Sequence, residues 1–453
     1  MSELHSLSPW DGKPVWSGVA DEHLPQVVEQ AAAVWAAGLP TPARIRDLLL
    51  RLSAGFIAEK KSAVDLLIRE AGKTEADAVA EADLLVRKIE LTLGAGLSRT
   101  PLAADPTRFP ADWHGPSTLW RPRGVALCVG PFNFPLHLLN GLVVPALAVG
   151  CPVIAKPSER CPGLGAWYRE RIVEAGLGDY VQVVLGGPST VQALASSPVI
   201  ATVAAVGSRG MGVALAKLLS ARPEAVLALE LGGVNHALVC ADADLKLALP
   251  VIADGAWRMA GQRCTATRIV HVPRSLADDV IERLRVLTTA WLPNGTPQAA
   301  MGPMIQVAER VRFQAVFRSS EPGSHLLAGN SSGVGAFADP ILLRCTNDIG
   351  RGSARYHAEH FGPYLILDVY DDEEQAVTRM RANQLRLSAA VWTRDVERFK
   401  QLAPRLPYGL VNWNSSTAGA RSDQPFGGCG LSGNGRPAAI AAGAIFADET
   451  VIA

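Results

Sequence analysis

Apolar residues in the N-terminal part of the chain recur at intervals of three and four. Residues 43–60 and 76–93 show this spacing most clearly, and a helix with one buried face produces it. We therefore predict that residues 24–97 are mainly helical. Proline-punctuated loops follow Thr100, and residues 118–121 are predicted to form a short strand.

Beyond Gly124 the pattern changes to short apolar runs that alternate with helical segments. The predicted strands are 125–129, 152–155, 181–184 and 200–206, and the predicted helices are 136–148, 162–175 and 209–219. Strands that are apolar throughout and alternate with helices are typical of a parallel sheet covered on both faces. A second region of this kind extends from about residue 225 past residue 391, so we predict an α/β fold.

The C-terminal part is predicted to contain strands and a glycine-rich turn. Residues 409–414 form a strand that enters the turn 425–428, and residues 444–453 form a terminal strand. A late strand without a local partner often pairs with another subunit, because its backbone groups need hydrogen bonds. Residues 323–335 are the segment most expected to be an exposed loop.

Composition narrows the classes of protein to consider. A chain of 453 residues is too long for one core, so two or three domains are expected. Its 43 basic and 43 acidic residues balance, which argues against binding to nucleic acid or an anionic membrane. The most apolar stretch, 124–149, is interrupted by Pro131, Pro135 and Pro145, a pattern unlike that of a membrane-spanning helix.

The N-terminus and the cysteines indicate a reducing, cytoplasmic compartment. Residues 1–10 lack the basic region and apolar run of a signal peptide. Seven cysteines without paired spacing argue against a disulfide framework. No Cys-x-x-Cys or His-Glu-x-x-His pattern indicates a metal site, so we expect no metal.

Several separated motifs together carry a resemblance to a known family. They are Pro-Phe-Asn-Phe-Pro at 131–135, Lys-Pro-Ser-Glu at 156–159, Gly-Ser at 207–208, Glu-Leu-Gly-Gly at 230–233, Gly-Gln-Arg-Cys at 261–264, Glu-His-Phe-Gly-Pro at 359–363 and Pro-Phe-Gly-Gly at 425–428. In this order they resemble the aldehyde dehydrogenase superfamily from about residue 25 onwards. The runs 261–265, 411–414 and 432–437 are most similar to the succinylglutamate semialdehyde dehydrogenases of arginine catabolism.

The resemblance implies a specific architecture. It has two open parallel-sheet α/β domains, one for the cofactor and one for catalysis, with a small β oligomerisation element. Residues 1–105 and 124–228 would form the NAD-binding domain, 229–435 the catalytic domain, and 106–123 with 436–453 the oligomerisation element. We expect a homodimer, with a tetramer as the alternative.

The resemblance also assigns the chemistry to Cys264, Asn133 and Glu230. Hydride transfer from an aldehyde needs a tetrahedral carbon, and thiolate attack by Cys264 provides one as a thiohemiacetal. The Asn133 amide would bind its alkoxide, and Glu230 would activate water to hydrolyse the resulting thioester. Taken singly, these residues more often have structural roles: a buried small thiol, a turn asparagine between prolines and a solvent-facing carboxylate.

A dinucleotide cofactor follows from the same resemblance, and NAD is expected in preference to NADP. Gly207, Ser208 and Gly212 would direct a helix N-terminus at the pyrophosphate, where backbone N–H groups favour an anion. A carboxylate at position 159 would bind the ribose hydroxyls and repel a 2′-phosphate. The other residues expected to bind the cofactor are Lys156, Ser158, Glu159, Leu231, Gly232, Glu359 and Phe361.

The expected substrate is N-succinylglutamate 5-semialdehyde or a related semialdehyde. Its carboxylates need cationic partners, and arginine can bind a carboxylate through two hydrogen bonds. The candidate substrate-binding residues are Arg258, Arg263, Arg421 and Phe426, with Arg121 as a further cation. The alternative is an apolar tunnel lined by Trp257 and Trp413. His236 is expected to be a hydrogen-bonded structural histidine.

Three alternatives stay open at this point. The first is an aldehyde dehydrogenase for uncharged aliphatic or aromatic aldehydes. The second transfers the acyl group to coenzyme A, and the presence of Glu230 argues against it. The third is a catalytically silent NAD-binding protein, against which the presence of Asn133, Glu230 and Cys264 together argues.

Overall fold

The computed structural model describes residues 3–100, 117–318, 323–328 and 335–452. The helices are α1 (Leu24–Ala37), α2 (Pro42–Ala58), α3 (Lys60–Ala71), α4 (Glu75–Leu91), α5 (His137–Ala148), α6 (Pro162–Glu174), α7 (Pro188–Ala195), α8 (Arg209–Leu218), α9 (Leu245–Trp257), α10 (Ala277–Ala290), α11 (Val307–Arg318), α12 (Asp348–Arg351), α13 (Ala354–His357), α14 (Glu373–Ala382) and α15 (Val396–Leu402). Among them, none combines the length and apolarity that a bilayer crossing requires.

The strands form two large sheets and several two-stranded ladders. The first ten are β1 (Glu3–Leu7), β2 (Pro14–Val19), β3 (Ser117–Pro122), β4 (Val125–Val129), β5 (Val153–Lys156), β6 (Val181–Val183), β7 (Ile200–Gly207), β8 (Val226–Leu231), β9 (Asn235–Val239) and β10 (Thr267–Pro273). The others are β11 (Ser324–Ala328), β12 (Ile341–Cys345), β13 (Tyr364–Tyr370), β14 (Leu385–Arg386), β15 (Ser388–Trp392), β16 (Leu410–Trp413), β17 (Pro425–Phe426), β18 (Cys429–Gly430), β19 (Gly433–Asn434), β20 (Ala438–Ala439) and β21 (Ala447–Ile452).

The first large sheet has six strands in the order β19-β8-β7-β4-β5-β6. Successive residues of a strand point to opposite faces, and in β4 both faces are buried. Leu127 packs among residues of α1, α7 and α8, whereas Cys128 packs among residues of α2 to α6. Because helices cover both faces, the central strands are apolar at nearly every position. The prediction of a helix-covered parallel sheet is confirmed for β4 to β8.

The second large sheet has seven strands in the order β11-β12-β13-β10-β9-β15-β16. Six of these strands run parallel, and β11 joins the edge in the antiparallel direction. The alternation of β9 again divides its side chains between two buried clusters, with Ala237 on one face and Leu238 on the other. The predicted α/β fold class is confirmed, and both sheets carry one antiparallel edge strand.

The predicted elements between residues 117 and 219 begin and end within about a residue of those in the structure. Helices α1 to α4 confirm the helical prediction for 24–97, and a π-helical turn, Thr92–Gly96, follows them. The division into domains at residues 228 and 435 stays a prediction. The pairing shows that β8 continues to Leu231 and that β19 returns to the six-stranded sheet.

One expectation about the C-terminal half is wrong in part. The segment predicted as an exposed loop, 323–335, contains β11, whose backbone pairs with β12; residues 329–334 lie outside the described part. The terminal strand β21 pairs along one edge with β3 of its own chain, which is distant in sequence. This pairing joins parts of the two segments that were expected to form the oligomerisation element, whose role in assembly stays a prediction. Residues 106–116 of the expected oligomerisation element lie outside the described residues.

A buried carboxylate fixes the start of α5. Glu81 on α4 is fully buried, and its Oε1 accepts hydrogen bonds from the backbone N–H groups of Leu136 and His137, at 3.0 Å each. The first N–H groups of a helix have no partner within the helix, and α5 has no side-chain cap of its own. The other oxygen of Glu81 lies 3.0 Å from the ammonium of Lys73, which is also buried.

We predict that Glu81→Gln lowers the melting temperature by several degrees. The substitution leaves the Lys73 ammonium buried without its counter-charge, and breaking such a pair costs about 3–5 kcal/mol. The control is Glu90→Gln on the same helix, which removes an ion pair with Arg87 that is more than half exposed. Such pairs contribute less than about 1 kcal/mol. Thermal unfolding curves that coincide for the two variants would contradict the prediction.

Candidate active site

A cavity of about 920 Å³ lies where the carboxyl ends of β4, β5, β7 and β8 face segments of the second sheet. Ligands of open parallel sheets usually bind at such carboxyl ends. The cavity wall brings together many residues that the sequence singled out. They are Asn133, Lys156, Ser158, Glu159, Gly207, Ser208, Glu230, Gly232, Cys264, Glu359 and Phe361.

The segment before Cys264 has a strained backbone. Met259, Ala260 and Gly261 follow one another with φ values of 57°, 52° and 63°, in the left-handed region. Each non-glycine residue there costs on the order of 1–2 kcal/mol. At Gly261 a side chain is excluded, because a Cβ would lie 2.0 Å from the carbonyl oxygen of Gly362. This backbone turns the chain sharply between α9 and Cys264.

Buried hydrogen bonds hold this strained segment in place. The guanidinium of Arg268, which is fully buried, donates to the carbonyl oxygens of Gly261 (2.5 Å) and Gly362 (2.8 Å). The side-chain amide of Asn235 donates to the carbonyl oxygen of Cys264 at 2.8 Å. The backbone is therefore fixed both before Cys264, by Arg268, and at Cys264 itself, by Asn235. The side chain of Cys264 is partly exposed to the cavity.

The Cys264 thiol and the Glu230 carboxylate line the same cavity and are close enough for each to shift the pKa of the other. Burial raises the pKa of Glu230 to about 7, and neither carboxylate oxygen has a hydrogen-bond partner in the described part of the chain. Burial, followed by the nearby carboxylates of Glu230 and Glu359, raises the pKa of the Cys264 thiol. The resting thiol is therefore protonated, and a base must remove its proton before sulfur can attack.

A second carboxylate, Glu359, lies against the Gly232-Gly233 backbone. Its Oε1 accepts a hydrogen bond of 3.0 Å from the N–H of Gly233. A Cβ at Gly232 would lie 1.7 Å from Oε2, so only glycine allows this approach. Burial raises the pKa of Glu359 to about 8, although Arg268 acts in the opposite direction. Glu359 is therefore largely protonated near neutral pH and can donate as well as accept a hydrogen bond.

Asn133 presents a hydrogen-bond donor to the same cavity. Its Oδ1 accepts a hydrogen bond from the N–H of Phe134 at 3.1 Å, which fixes the orientation of the amide. No described residue accepts a hydrogen bond from its Nδ2 group. The side chain is buried, but it lines the cavity together with Cys264. This geometry leaves one amide donor free to stabilise an anion.

The other end of the cavity lies against the N-terminus of α8. Ser208 caps this helix by accepting a hydrogen bond from the N–H of Met211 at 3.2 Å. Gly207, Ser208 and Met211 all line the cavity, as expected for an anion site at a helix N-terminus. Gly212 and Leu231 do not reach the cavity. A Cβ at Gly212 would lie 2.7 Å from the Leu231 side chain, so this glycine permits close packing of helix and strand.

An ion pair marks the carboxyl end of β5. The buried ammonium of Lys156 lies 2.8 Å from a carboxylate oxygen of Glu159. Burial acts to raise the pKa of Glu159, but the adjacent Lys156 ammonium outweighs it and lowers that pKa. Further residues line the cavity but were not assigned a role from the sequence. Phe132, Arg160 and Met211 lie within or close to the motifs, whereas Gln192, Lys217 and Glu309 lie away from any motif.

Several candidate substrate residues lie away from the cavity. Arg258 is paired with Asp77 at 2.6 Å, and the exposed Arg421 is paired with Asp423 at 2.7 Å. Phe426 packs in a small apolar cluster that also contacts Cys264. Arg121 is exposed on β3.

The remaining candidates have the following environments. Arg263 is held against the sulfur of Met259, with Nε 3.3 Å from Sδ. Trp257 belongs to the core, and Trp413 stacks on a ring outside the cavity. His236 is fully buried and bonded to His271 at 2.9 Å, which confirms a hydrogen-bonded histidine. In the described ranges, no group of three or more His, Cys, Asp or Glu side chains is arranged to bind a metal.

Comparison with known proteins gives a consistent result. The aldehyde dehydrogenase family matches residues 2–449. The N-succinylglutamate 5-semialdehyde dehydrogenase of Novosphingobium aromaticivorans is 33% identical over 449 residues, covering 97% of this chain and 93% of that protein. The protein of the same name from Sphingopyxis alaskensis is 34% identical over 447 residues, covering 97% and 91%.

A solved structure extends the comparison to the fold. A putative aldehyde dehydrogenase from Burkholderia cenocepacia superposes with a TM-score of 0.89 and 27% identity, covering 100% of this chain and 96% of that one. The sequence match and the superposition both extend along essentially the whole chain. The protein belongs to the aldehyde dehydrogenase family.

Proposed function

We propose that this protein oxidises an aldehyde to a carboxylate, with NAD as the hydride acceptor, through a thiohemiacetal and a thioester of Cys264. The observation that carries the proposal is the convergence of three groups on one cavity wall. They are the Cys264 thiol, the buried Glu230 carboxylate on the same cavity wall, and the free amide donor of Asn133. Nucleophile, base and anion donor are the parts that acyl chemistry on sulfur requires.

The first half-reaction uses the proximity of thiol and carboxylate. As sulfur adds to the aldehyde carbon, the thiol proton passes to Glu230, and the carbonyl electron pair moves onto oxygen. The Asn133 amide stabilises this oxyanion, a contribution of about 10²–10³ in rate. Bound NAD supplies the acceptor for the hydride that leaves the carbon. The product on the enzyme is a Cys264 thioester.

The second half-reaction returns the enzyme to its starting state. Glu230 first releases its proton to solvent and then takes a proton from a water molecule that attacks the thioester carbon. The carboxylic acid forms, and the leaving Cys264 thiolate takes the proton from Glu230, which restores the protonated thiol. A carboxylate with a pKa of about 7 suits both roles, because its acid and base forms are both populated near neutral pH.

The cofactor end of the cavity supports NAD in preference to NADP. The helix N-terminus at Ser208 suits a pyrophosphate. Glu159 places a carboxylate beside Lys156, where it would accept hydrogen bonds from ribose hydroxyls and repel a 2′-phosphate. Arg160, another cation on the cavity wall, is already paired with Glu309 at 2.9 Å. We infer that Glu359 holds the nicotinamide ribose and that Phe361 packs near the nicotinamide ring.

The substrate is proposed to be N-succinylglutamate 5-semialdehyde or a related anionic semialdehyde. Proteins of that name share a third of this chain's residues over nearly its full length. Arg263, next to the nucleophile, supports the assignment. No carboxylate in the described part lies within ion-pair distance of its guanidinium, and burial lowers its pKa. A substrate carboxylate would provide the missing counter-charge.

Glu230→Gln is predicted to separate the two half-reactions. The variant should form about one equivalent of NADH per active site more slowly than the wild type, because glutamine cannot take the thiol proton. It should then stall, because glutamine cannot activate the water that hydrolyses the thioester. Stopped-flow absorbance of NADH measures the burst, and mass spectrometry detects the acylated protein. Glu224→Gln, at an exposed site, is the control and should turn over normally. Sustained turnover by Glu230→Gln would remove Glu230 as the hydrolytic base.

Acyl-enzyme hydrolysis is predicted to accelerate as pH rises through about 7. The base must be deprotonated, and burial raises the pKa of Glu230 to about 7, so the active form is lost below that pH and saturates above it. Single-turnover measurements of thioester hydrolysis between about pH 5.5 and 9 test this. A rate that stays constant over this range, as the ordinary glutamate pKa of 4.5 would give, would show that the carboxylate is not desolvated in the acyl-enzyme.

The substrate assignment is tested by comparing kcat/KM for N-succinylglutamate 5-semialdehyde, pentanal and benzaldehyde. We expect the anionic semialdehyde to be preferred by about 100-fold or more, because its carboxylates would pair with buried cations. Added coenzyme A should leave the rate and the acid product unchanged. Cys264→Ala should be inactive with every aldehyde. Equal kcat/KM values across the panel would favour the alternative of an enzyme for uncharged aldehydes.

A further inference from the structure

Lys88, on α4, is a buried cation without a counter-charge. Its side chain is only 4% exposed. Among the described residues, no carboxylate forms an ion pair with its ammonium and no acceptor hydrogen-bonds to it. Burial lowers its pKa to about 8. Placing an unpaired charge in the interior is unfavourable, so such a residue in a folded protein indicates a functional role.

A glycine on α5 makes room for this side chain. Helices α4 and α5 pack side by side, and a Cβ at Gly141 would lie 3.4 Å from Cε and 3.8 Å from Nζ of Lys88. Gly141 follows His137 by one helical turn, about 5–6 Å along the axis. The His137 ring lies edge-on to Phe134, which directly follows Asn133. Lys88 is therefore one to two helical turns from the predicted oxyanion donor.

A continuous series of contacts connects this region to the nucleophile. The ammonium of Lys73 lies 4.1 Å from the centre of the Phe134 ring and 3.8 Å from the sulfur of Met259. That sulfur contacts the guanidinium of Arg263, the residue before Cys264. Lys73, Phe134 and Met259 thus form a wall between Arg263 and the segment of α5 that packs beside Lys88.

The charges along this wall are balanced in its middle and unbalanced at its ends. Lys73 is neutralised by Glu81, and Arg258 is neutralised by Asp77. Arg263 and Lys88 have no ion-pair partner within the ranges that the structure describes. A ligand that carries two carboxylates, one near its reacting carbon and one at a distance, would supply both counter-charges.

We propose that Lys88 binds the distal carboxylate of a dicarboxylic aldehyde while Arg263 binds the carboxylate nearer the aldehyde. The inference rests on the proposed function and adds the specificity-determining residue. In N-succinylglutamate 5-semialdehyde, one carboxylate is close to the aldehyde and the other ends the succinyl arm. Because Gly141 has no side chain, no side-chain atom from that position of α5 covers the ammonium of Lys88.

The test is kcat/KM for Lys88→Met with N-succinylglutamate 5-semialdehyde and with pentanal. We expect a loss of about 30- to 1,000-fold for the semialdehyde, mainly through KM, and no change for pentanal. Lys88→Arg should retain more of the preference, because it keeps the positive charge. Lys61→Met removes an exposed lysine and is the matched control. Lys88→Met should also melt at or above the wild-type temperature, because it removes an unpaired buried charge.

The outcomes distinguish a failure of the substrate assignment from a failure of the role proposed for Lys88. A wild-type enzyme that oxidises both aldehydes equally well overturns the proposed substrate and this inference with it. A wild-type preference that survives unchanged in Lys88→Met overturns the role of Lys88 alone. Equal losses for both aldehydes would assign Lys88 a purely structural role and also overturn the inference. If Lys88→Met does not fold, Lys88→Gln provides the same comparison with a polar, neutral side chain.

Discussion

Three acidic side chains lie close together in one buried site of this protein, and their mutual repulsion prevents all three from being ionised at once. Cys264, Glu230 and Glu359 each have a raised pKa, with burial as the largest cause and with like charges adding to it for the thiol and for Glu359. A negative charge on one of them disfavours a charge on the next. The site therefore holds protons in the resting state, as the proton transfers of the proposed reaction require. The surrounding structure has to keep these groups close in spite of that repulsion.

Separate parts of the fold supply that restraint. Glu230 is the last but one residue of a strand whose edge is paired with β19, and Glu359 is held by the N–H of Gly233. Arg268 is the buried cation of the group, and it also holds the strained turn before Cys264 through two carbonyl oxygens. Each of the two sheets thus fixes part of the site. The strain in the turn is maintained because buried hydrogen bonds are lost if it relaxes.

The sequence predicted what depends on local pattern. Strands such as β4 were predicted correctly, because burial on both faces produces an uninterrupted apolar run. The family resemblance brought Asn133, Glu230 and Cys264 together before any geometry was known. The sequence could not reveal Gln192 or Glu309 on the cavity wall, because their helices carry no motif. It also favoured Arg258 and Arg421, because they lie near motifs in the sequence. In the structure both are already paired, Arg258 with an acid distant in sequence and Arg421 with one only two residues away. Lys88 was missed for a related reason: its lack of a partner is a property of three-dimensional packing.

The pairing of β19 with β8 has a consequence for biosynthesis. Residues 433 and 434 leave the ribosome long after β8, yet they complete the edge of the strand that carries Glu230. Until then, a nascent chain can form most of the six-stranded sheet, but β8 keeps an open edge beside a partly assembled site. A chain that stops before residue 433 would therefore keep an aggregation-prone edge at β8. The arrangement ties the completion of the cavity wall around Glu230 to the arrival of a segment made long after it.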